Sequence, residues 1–239
     1  MVRSTTVQTQ GRQSKRPSAA QRPARRLVES LGGRFATELG IKLQSGDRGE
    51  VFKWFLAAML FAARISHAVA ARTYREFQQA GVSSPQRVVE TGWDGLVAIL
   101  DAGGYVRYDF KTADKLLAVC AALIDRYGGD MNALHRVAAG PPELEAAVQT
   151  LGKGIGPMTA NIFLREMRGI WDKAAPLPSE KVIQAAKELG FLPPALKDGD
   201  TALTLLRKRW LAEGGTDRDF AEFEAALVRY ALGQRGDKA

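Results

Sequence analysis

A short glycine-rich segment in the second half of the chain has residue types suited to binding phosphate. Residues 151–157 read Leu-Gly-Lys-Gly-Ile-Gly-Pro, with a proline where a helix would begin. Glycine lets another molecule approach the backbone closely, and proline at the first helical position sacrifices no hydrogen bond. Several amides would then be free to face an anion, namely those of Ile155, Gly156, Met158 and Thr159. The segment predicts a phosphate clamp, and the alternative is an ordinary turn between two helices.

Positive charge is concentrated at the N-terminal end of the chain. The 239 residues include 34 Lys and Arg against 26 Asp and Glu, a formal net charge of +8. Residues 1–26 contain seven of the basic residues and no acid, which leaves the rest near neutrality at +1. This tail is polar and lacks apolar periodicity, so we expect it to be disordered. It is interpreted first as a polycation that raises DNA affinity; a solubilising extension and a transit peptide are the alternatives.

Few residues could hold a metal or a cofactor. Cys120 is the single cysteine of the sequence, which excludes an intramolecular disulfide, a cysteine zinc site and a four-cysteine iron–sulfur cluster. His67 and His135 lie far apart and lack the spacing of metal ligands. The longest apolar run, over residues 55–63, is too short to cross a bilayer. We therefore expect no metal, no cofactor and no membrane association.

Helical periodicity dominates the sequence, and no strand-like alternation lasts long enough to build a sheet. A wide apolar face over residues 50–79 is typical of a central helix that is covered on most sides. Residues 112–127 repeat apolar side chains at helical spacing and are followed by Gly128 and Gly129. Shorter helices are expected at 84–90, 93–100, 131–137, 143–150, 157–167, 181–189, 201–212 and 217–232. The predicted fold class is all-α.

The order of these helices around the glycine segment resembles a superfamily of DNA-repair proteins. Short helices, a Gly-Gly break, a long helix and a small helix precede the sequence Gly-Ile-Gly-Pro-Met-Thr-Ala-Asn of residues 154–161. This pattern resembles the helix–hairpin–helix (HhH-GPD) DNA glycosylases related to endonuclease III and AlkA, but without an iron–sulfur cluster. The resemblance implies two helical lobes. One comprises residues 49–169 with the hairpin at 151–157, and the other comprises 27–48 and 170–239.

The resemblance also implies an activity and a partner. Family members grip the backbone of double-stranded DNA with the hairpin and extrude the target base into a pocket between the lobes. A carboxylate about twenty residues beyond the hairpin supports cleavage of the N-glycosidic bond, because positive charge develops on the sugar. The expected protein is therefore a monofunctional base-excision-repair glycosylase for damaged or mismatched bases. It would be a cytoplasmic, nucleoid-associated monomer. The alternative is a DNA-binding relative that has lost this chemistry.

The position that separates glycosylases with lyase activity from the others is occupied by Met158. Family members with lyase activity have a lysine there, which attacks the sugar as an amine nucleophile. A thioether cannot form an imine, so the resemblance implies hydrolysis without lyase activity. We expect the Met158 side chain to line a pocket or to pack in the core.

The catalytic carboxylate has two alternative positions in the stretch of residues 176–184. This stretch is similar to the Leu-Pro-Asp-Asp sequence of alkylation-repair members, which places the catalytic aspartate at Glu180 and its neighbour at Ser179. A register anchored on the Val-Asp-Thr-His form of endonuclease III places the aspartate at Ser179, where no charge is present. Asp172, on the preceding loop, is a weaker substitute. Helix capping alone would also explain Ser179 followed by Glu180.

Further DNA contacts are expected from basic residues. Lys153 stands where the family commonly has proline, and its charge would suit a phosphate. Arg64 occupies a position that faces the DNA stack in family members, where it would wedge into the duplex or pair with phosphate. Alternatively, it extends from a buried helix into solvent. Arg165 and Arg168 would extend the contact. The expected DNA-binding residues of the hairpin are Lys153, Gly154, Ile155, Gly156, Met158 and Thr159.

Overall fold

We describe the protein from a computed structural model over residues 23–233. This part of the chain is helical and contains no strand, so the predicted all-α class is confirmed. The helices are α1 (Ala24–Leu31), α2 (Phe35–Glu38), α3 (Arg48–Phe61), α4 (His67–Gln79), α5 (Pro85–Ala102), α6 (Asp109–Tyr127), α7 (Met131–Val137), α8 (Pro141–Gln149), α9 (Pro157–Met167), α10 (Glu180–Glu188), α11 (Gly199–Ala212) and α12 (Phe220–Ala231). A 3₁₀ helix at Leu43–Ser45 precedes α3.

The long helical stretch predicted over residues 50–79 is divided into α3 and α4. Ala62 ends α3, and Ser66 begins α4 by accepting a hydrogen bond from the Val69 amide at 3.2 Å. Both helices carry apolar residues up to this turn because α3 and α4 pack against each other. The apolar pattern of the sequence therefore does not show where one helix ends and the next begins. The break expected at Gly92 is present as a kink within α5, where Gly92 has a φ of 69°.

The first helix begins inside the segment that was predicted to be disordered. Residues 1–22 lie outside the described residues, but α1 starts at Ala24 and packs on α12. Ala24 and Leu27 are buried there, and the Arg25 guanidinium donates hydrogen bonds to two backbone carbonyls after α11. The prediction of disorder is therefore wrong for residues 23–26. Packing against α12 stabilises α1, which is too short to be stable alone. The residues of α1 themselves give no sign of this packing.

The buried apolar side chains form two clusters. The first combines α2 to α9 and the loop after α9, and it meets α12 at Ala225. The second combines α1, α10, α11 and α12. The resemblance assigns residues 27–48 to the second lobe, whereas Phe35, Leu39 and Leu43 pack in the first cluster. Of that segment, α1 alone belongs to the second cluster.

Helix α3 is the centre of the first cluster, as its wide apolar face predicts. Every residue from Trp54 to Leu60 is buried, and the Trp54 indole donates a hydrogen bond to the carbonyl of Phe163 at 3.1 Å. Cys120 is buried in the same cluster, and burial raises the pKa of its thiol to about 12. Among residues 23–233, no helix has the length and apolarity that crossing a membrane requires.

Candidate nucleic-acid interface

The glycine segment forms the connection between α8 and α9. Gly154 has a φ of 93°, a conformation that favours glycine, whereas Gly156 is extended with a φ of −104° and precedes α9 without any side-chain cap. The amides of Met158 and Thr159 have no hydrogen-bond partner within residues 23–233. A helix N-terminus with unpaired amides attracts anions. A turn between α8 and α9 with unpaired amides is therefore present, which suits the predicted phosphate clamp and is also found in an ordinary turn between two helices.

One predicted detail of the hairpin is wrong, and one of the two alternatives for Met158 is excluded. The Ile155 amide donates to the carbonyl of Gly152 at 3.1 Å, so it does not face an anion, and the Ile155 side chain is buried. Met158 is 55% exposed, so its side chain is not in the core. Thr159 is buried as a whole residue, so its hydroxyl is not available to a ligand. Lys153 is exposed, and no ion pair in the described part of the chain involves it.

Helix α6 lies alongside the hairpin and explains two of its glycines. A Cβ atom at Gly152 would lie 2.7 Å from Cγ2 of Val119, and one at Gly154 would lie 3.1 Å from Cδ of Lys115. The hairpin and α6 run in opposite directions, because positions further along the hairpin contact positions earlier in α6. A Cβ atom at Gly156, in contrast, would meet no atom within 4 Å. The backbone of Gly156 is thus open to a ligand.

Lys115 joins the hairpin to the C-terminal end of α3. Its aliphatic part packs on Gly154, and its Nζ donates to the carbonyl of Met59 at 3.3 Å. The next carbonyl, that of Leu60, accepts a hydrogen bond from the Tyr105 hydroxyl at 3.0 Å. Burial lowers the pKa of Lys115 to about 8. The end of α3 therefore lies beside the hairpin.

Arg64 lies in the turn that follows this end of α3. The turn spans residues 62–66, and the Arg64 side chain is exposed. No ion pair or side-chain hydrogen bond in residues 23–233 involves its guanidinium. The structure thus places two of the predicted DNA-binding cations, Arg64 and Lys153, at segments that both adjoin the C-terminal end of α3. The interpretation of Arg64 as the exposed end of a buried helix is equally consistent with this position.

Ser179 caps α10, and Glu180 is the first residue of that helix. The Ser179 hydroxyl accepts a hydrogen bond from the Val182 amide at 3.4 Å. The Glu180 side chain is exposed and lines an open groove of about 480 Å³. The groove runs between α10 and the end of α12, and its other walls are Lys181, Gln184, Ala185, Glu188, Tyr230, Ala231 and Gly233. The capping role expected for this pair of residues is present.

One hydrogen bond ties the hairpin helix to the segment that leads to Glu180. The Asn161 side chain, one turn into α9, donates from Nδ2 to the carbonyl of Leu177 at 2.7 Å. Glu180 follows Leu177 by three residues, which allows a separation of at most about 11 Å between their Cα atoms. The candidate carboxylate is therefore held near the helix that begins at the hairpin.

Asp172 has a structural role that makes it a poor substitute for the carboxylate. Its Oδ1 lies 2.7 Å from Nε2 of His135, and this hydrogen bond lowers the pKa of Asp172. The His135 ring stacks on Trp171 with centroids 4.7 Å apart, and the Trp171 indole donates to Asn132 at 2.8 Å. These contacts fasten the loop after α9 to α7. Among residues 23–233, no cluster of His, Cys, Asp and Glu side chains could hold a metal ion.

The prediction that Arg165 and Arg168 extend the DNA contact is wrong. Both side chains are buried, at 5% exposure. Arg168 forms an ion pair with Glu224 of α12 at 2.7 Å, and the Arg165 guanidinium lies 5.7 Å from the centroid of the Phe35 ring. Arg168 therefore joins the end of α9 to α12, whereas Arg165 packs on Phe35 of the first cluster. The sequence does not display the burial of Arg168, because its acidic partner lies 56 positions away in the chain.

The same junction contains a second buried ionic group that the sequence did not reveal. Arg34 is 2% exposed, and its Nε pairs with Glu222 at 3.1 Å. Glu166 is fully buried and accepts hydrogen bonds from the amides of Phe35 and Ala36 at 3.0 and 3.1 Å. These bonds and the nearby arginines favour the charged form of Glu166, but burial has the larger effect and raises its pKa. The network holds α2, α9 and α12 together.

Comparison with protein-family models gives no match, and comparison with curated proteins gives none either. The fold class and the geometry of the hairpin therefore carry the functional argument.

Proposed function

We propose that this protein binds double-stranded DNA through the hairpin of residues 151–157 and hydrolyses the N-glycosidic bond of damaged or mismatched bases. The main support for this proposal is the structure of the hairpin. The unpaired amides of Met158 and Thr159 and the open backbone of Gly156 follow the exposed Lys153 within six positions of the chain. This combination suits a phosphate of the DNA backbone, because it supplies both hydrogen-bond donors and positive charge.

In the proposed reaction, the carboxylate of Glu180 stabilises positive charge on the sugar or activates a water molecule. The Asn161–Leu177 hydrogen bond supports the assignment, because it links the segment of Glu180 to the hairpin helix. The groove that the Glu180 side chain lines is formed by α10 and the end of α12. Met158 has no amine, so the sugar is attacked by water and no imine is formed. The proposed enzyme is therefore a monofunctional glycosylase of the HhH-GPD type.

A second candidate function is DNA binding without base removal. The observation that favours it is the position of Glu180, which is exposed in an open groove and lies where helix capping alone would place an acid. A water-excluding environment strengthens electrostatic catalysis, and an exposed carboxylate lacks it in the free protein. Closure around a flipped base would be needed to supply that environment.

Single-turnover base release separates the two candidates. The experiment uses the full chain and a panel of duplexes, each with one damaged or mismatched base. We expect Glu180→Gln to lower the release rate by about 10²-fold or more, because it removes the charge that opposes the sugar cation. Glu188→Gln is the matched control, since Glu188 lies two helical turns further along the same groove. Equal release by wild type and Glu180→Gln would refute the catalytic role of Glu180, whereas no release on any duplex would refute the enzymatic assignment and leave DNA binding.

Binding is tested separately at the hairpin. Lys153→Glu should weaken affinity for a lesion-free duplex and reduce the salt dependence of binding, because one phosphate contact is lost and one negative charge is added. The measurement is fluorescence anisotropy of a labelled duplex over a series of salt concentrations. An unchanged affinity and an unchanged salt slope would remove the hairpin from the interface.

A further inference from the structure

Lys111, an exposed lysine in the first turn of α6, lies one helical turn beyond the last of a row of contacts between α6 and the hairpin. Arg126 donates to the carbonyl of Thr150 at 2.8 Å, and Val119 and then Lys115 adjoin Gly152 and Gly154. Moving two residues along the hairpin thus shifts the contact on α6 by one or two helical turns towards the N-terminus of that helix. One further turn from Lys115 leads to Lys111, about 6 Å along the helix axis. In the same direction the hairpin continues from Gly154 to Gly156, whose added Cβ atom would meet no atom within 4 Å.

The charge of Lys111 is not used within the described part of the protein. No ion pair or hydrogen bond of its side chain is present in residues 23–233. The two acids nearest in sequence accept hydrogen bonds from other groups: Asp114 from the Trp93 indole at 2.9 Å and Asp109 from the Phe110 amide at 2.8 Å. A cation in the first turn also opposes the helix dipole, so helix stability does not explain this lysine.

The same end of α6 lies over the end of α3. Tyr105, just before α6, donates to the Leu60 carbonyl, and Lys115 donates to that of Met59. Lys111 lies between these two anchor points in the sequence. The exposed cations Arg64, Lys111 and Lys153 are therefore carried by three segments that meet around the end of α3. A polyanion with regularly spaced charges is the partner that such a surface fits, and duplex DNA has that character.

We propose that Lys111 is a further contact to the phosphate backbone of duplex DNA, so that the interface extends from the hairpin onto the N-terminal turn of α6. This inference depends on the proposed DNA binding, but it concerns a different segment of the chain. The bound group is a phosphodiester, and Lys111 recognises its charge without reading the base sequence.

The test compares Lys111→Gln with Lys153→Gln and with a control, Lys208→Gln, in the full chain. Lys208 is an exposed lysine of α11 in the second cluster region, with no ion pair in residues 23–233. Duplex affinity is measured by fluorescence anisotropy over a salt series. Loss of one phosphate contact should reduce the slope of log affinity against log salt by about 0.9. The affinity difference from wild type should then shrink about threefold between roughly 50 and 200 mM salt. Lys111→Arg should retain the wild-type slope.

The outcomes distinguish this inference from the proposed function. A reduced slope for Lys111→Gln with an unchanged slope for Lys208→Gln supports the contact. A reduced slope for Lys153→Gln alone overturns the contact at α6 and leaves the hairpin in place. Unchanged slopes for both Lys111→Gln and Lys153→Gln overturn both proposals. Equal reductions in all three variants would assign the effect to net charge and overturn the contact at Lys111.

Discussion

A pair of glycine-to-alanine substitutions in the hairpin should separate folding from DNA binding. Gly154→Ala places a side chain at a φ of 93°, and its Cβ atom would lie 3.1 Å from Cδ of Lys115. Left-handed backbone costs an L-residue about 1–2 kcal/mol, and displacement of Lys115 adds to this cost. We expect the free energy of unfolding to fall by about 1–3 kcal/mol. For a chain of this size, each kcal/mol corresponds to roughly 2–4 °C in Tm.

Gly156→Ala should have the opposite pattern. Its φ of −104° suits any residue, and no atom lies within 4 Å of the added Cβ atom. Stability should stay constant or rise by about 0.4–1 kcal/mol, because alanine restricts the unfolded chain. Duplex affinity should fall, because the methyl group prevents a phosphate from reaching the amides of Met158 and Thr159. A hydrogen bond to a charged group contributes about 1.5–3 kcal/mol, which corresponds to roughly ten- to hundredfold in affinity.

The assays are thermal unfolding followed by circular dichroism and fluorescence anisotropy of a labelled duplex at constant salt. Wild-type affinity for Gly156→Ala would refute the close approach of DNA to this backbone. A loss of stability for Gly156→Ala, or none for Gly154→Ala, would contradict the hairpin conformation on which the reasoning depends.

Two buried charges give further predictions. Glu224→Gln should destabilise the protein by about 3–5 kcal/mol in urea unfolding, because it leaves Arg168 buried without its acid, whereas Arg168→Met with Glu224→Met should restore most of the stability. Burial lowers the pKa of Lys115 to about 8, while an unfolded lysine titrates near 10.4, so the unfolded chain binds more protons between these values. Relative to Lys115→Met, the wild type should therefore gain on the order of 2 kcal/mol from about pH 7 to about pH 10. An equal pH dependence in the two proteins would contradict the buried position of the ammonium.

The elements that sequence reasoning predicted well depend on local chemistry. Helical periodicity identified the all-α class, and the glycines of the hairpin identified a turn with an open backbone. Ser179 was predicted as a cap, and it accepts the bond from the Val182 amide. Each of these features is determined by residues within a few positions of one another, so the sequence displays them directly.

The features that sequence reasoning missed depend on distant partners. Arg168 looked like a surface cation one turn from Arg165, but its acidic partner Glu224 lies on another helix. Arg34 and Glu166 are likewise buried by contacts across more than a hundred positions. The start of α1 was hidden because its stability comes from packing on α12. Periodicity cannot reveal such pairs, since it reports which face of a helix is apolar and not what covers a charge.

The candidate carboxylate, Glu180, depends both on local chemistry and on a distant partner. The position of Glu180 at the start of a helix follows from local capping, but its relation to the hairpin depends on the Asn161–Leu177 hydrogen bond. Whether it acts on a sugar is determined by the environment of the bound complex, which neither a cap nor a periodic pattern encodes.

The most direct measurement of the central claim is a titration of the ¹⁵N-labelled full chain with a short duplex, followed by amide NMR spectra. If the hairpin holds a phosphate, the amides of Met158 and Thr159 gain an acceptor that they lack within the described part of the protein. Their proton resonances should therefore move downfield, while amides of α11 stay unchanged. Unchanged Met158 and Thr159 resonances at a duplex concentration that shifts amides elsewhere would contradict DNA binding by this hairpin.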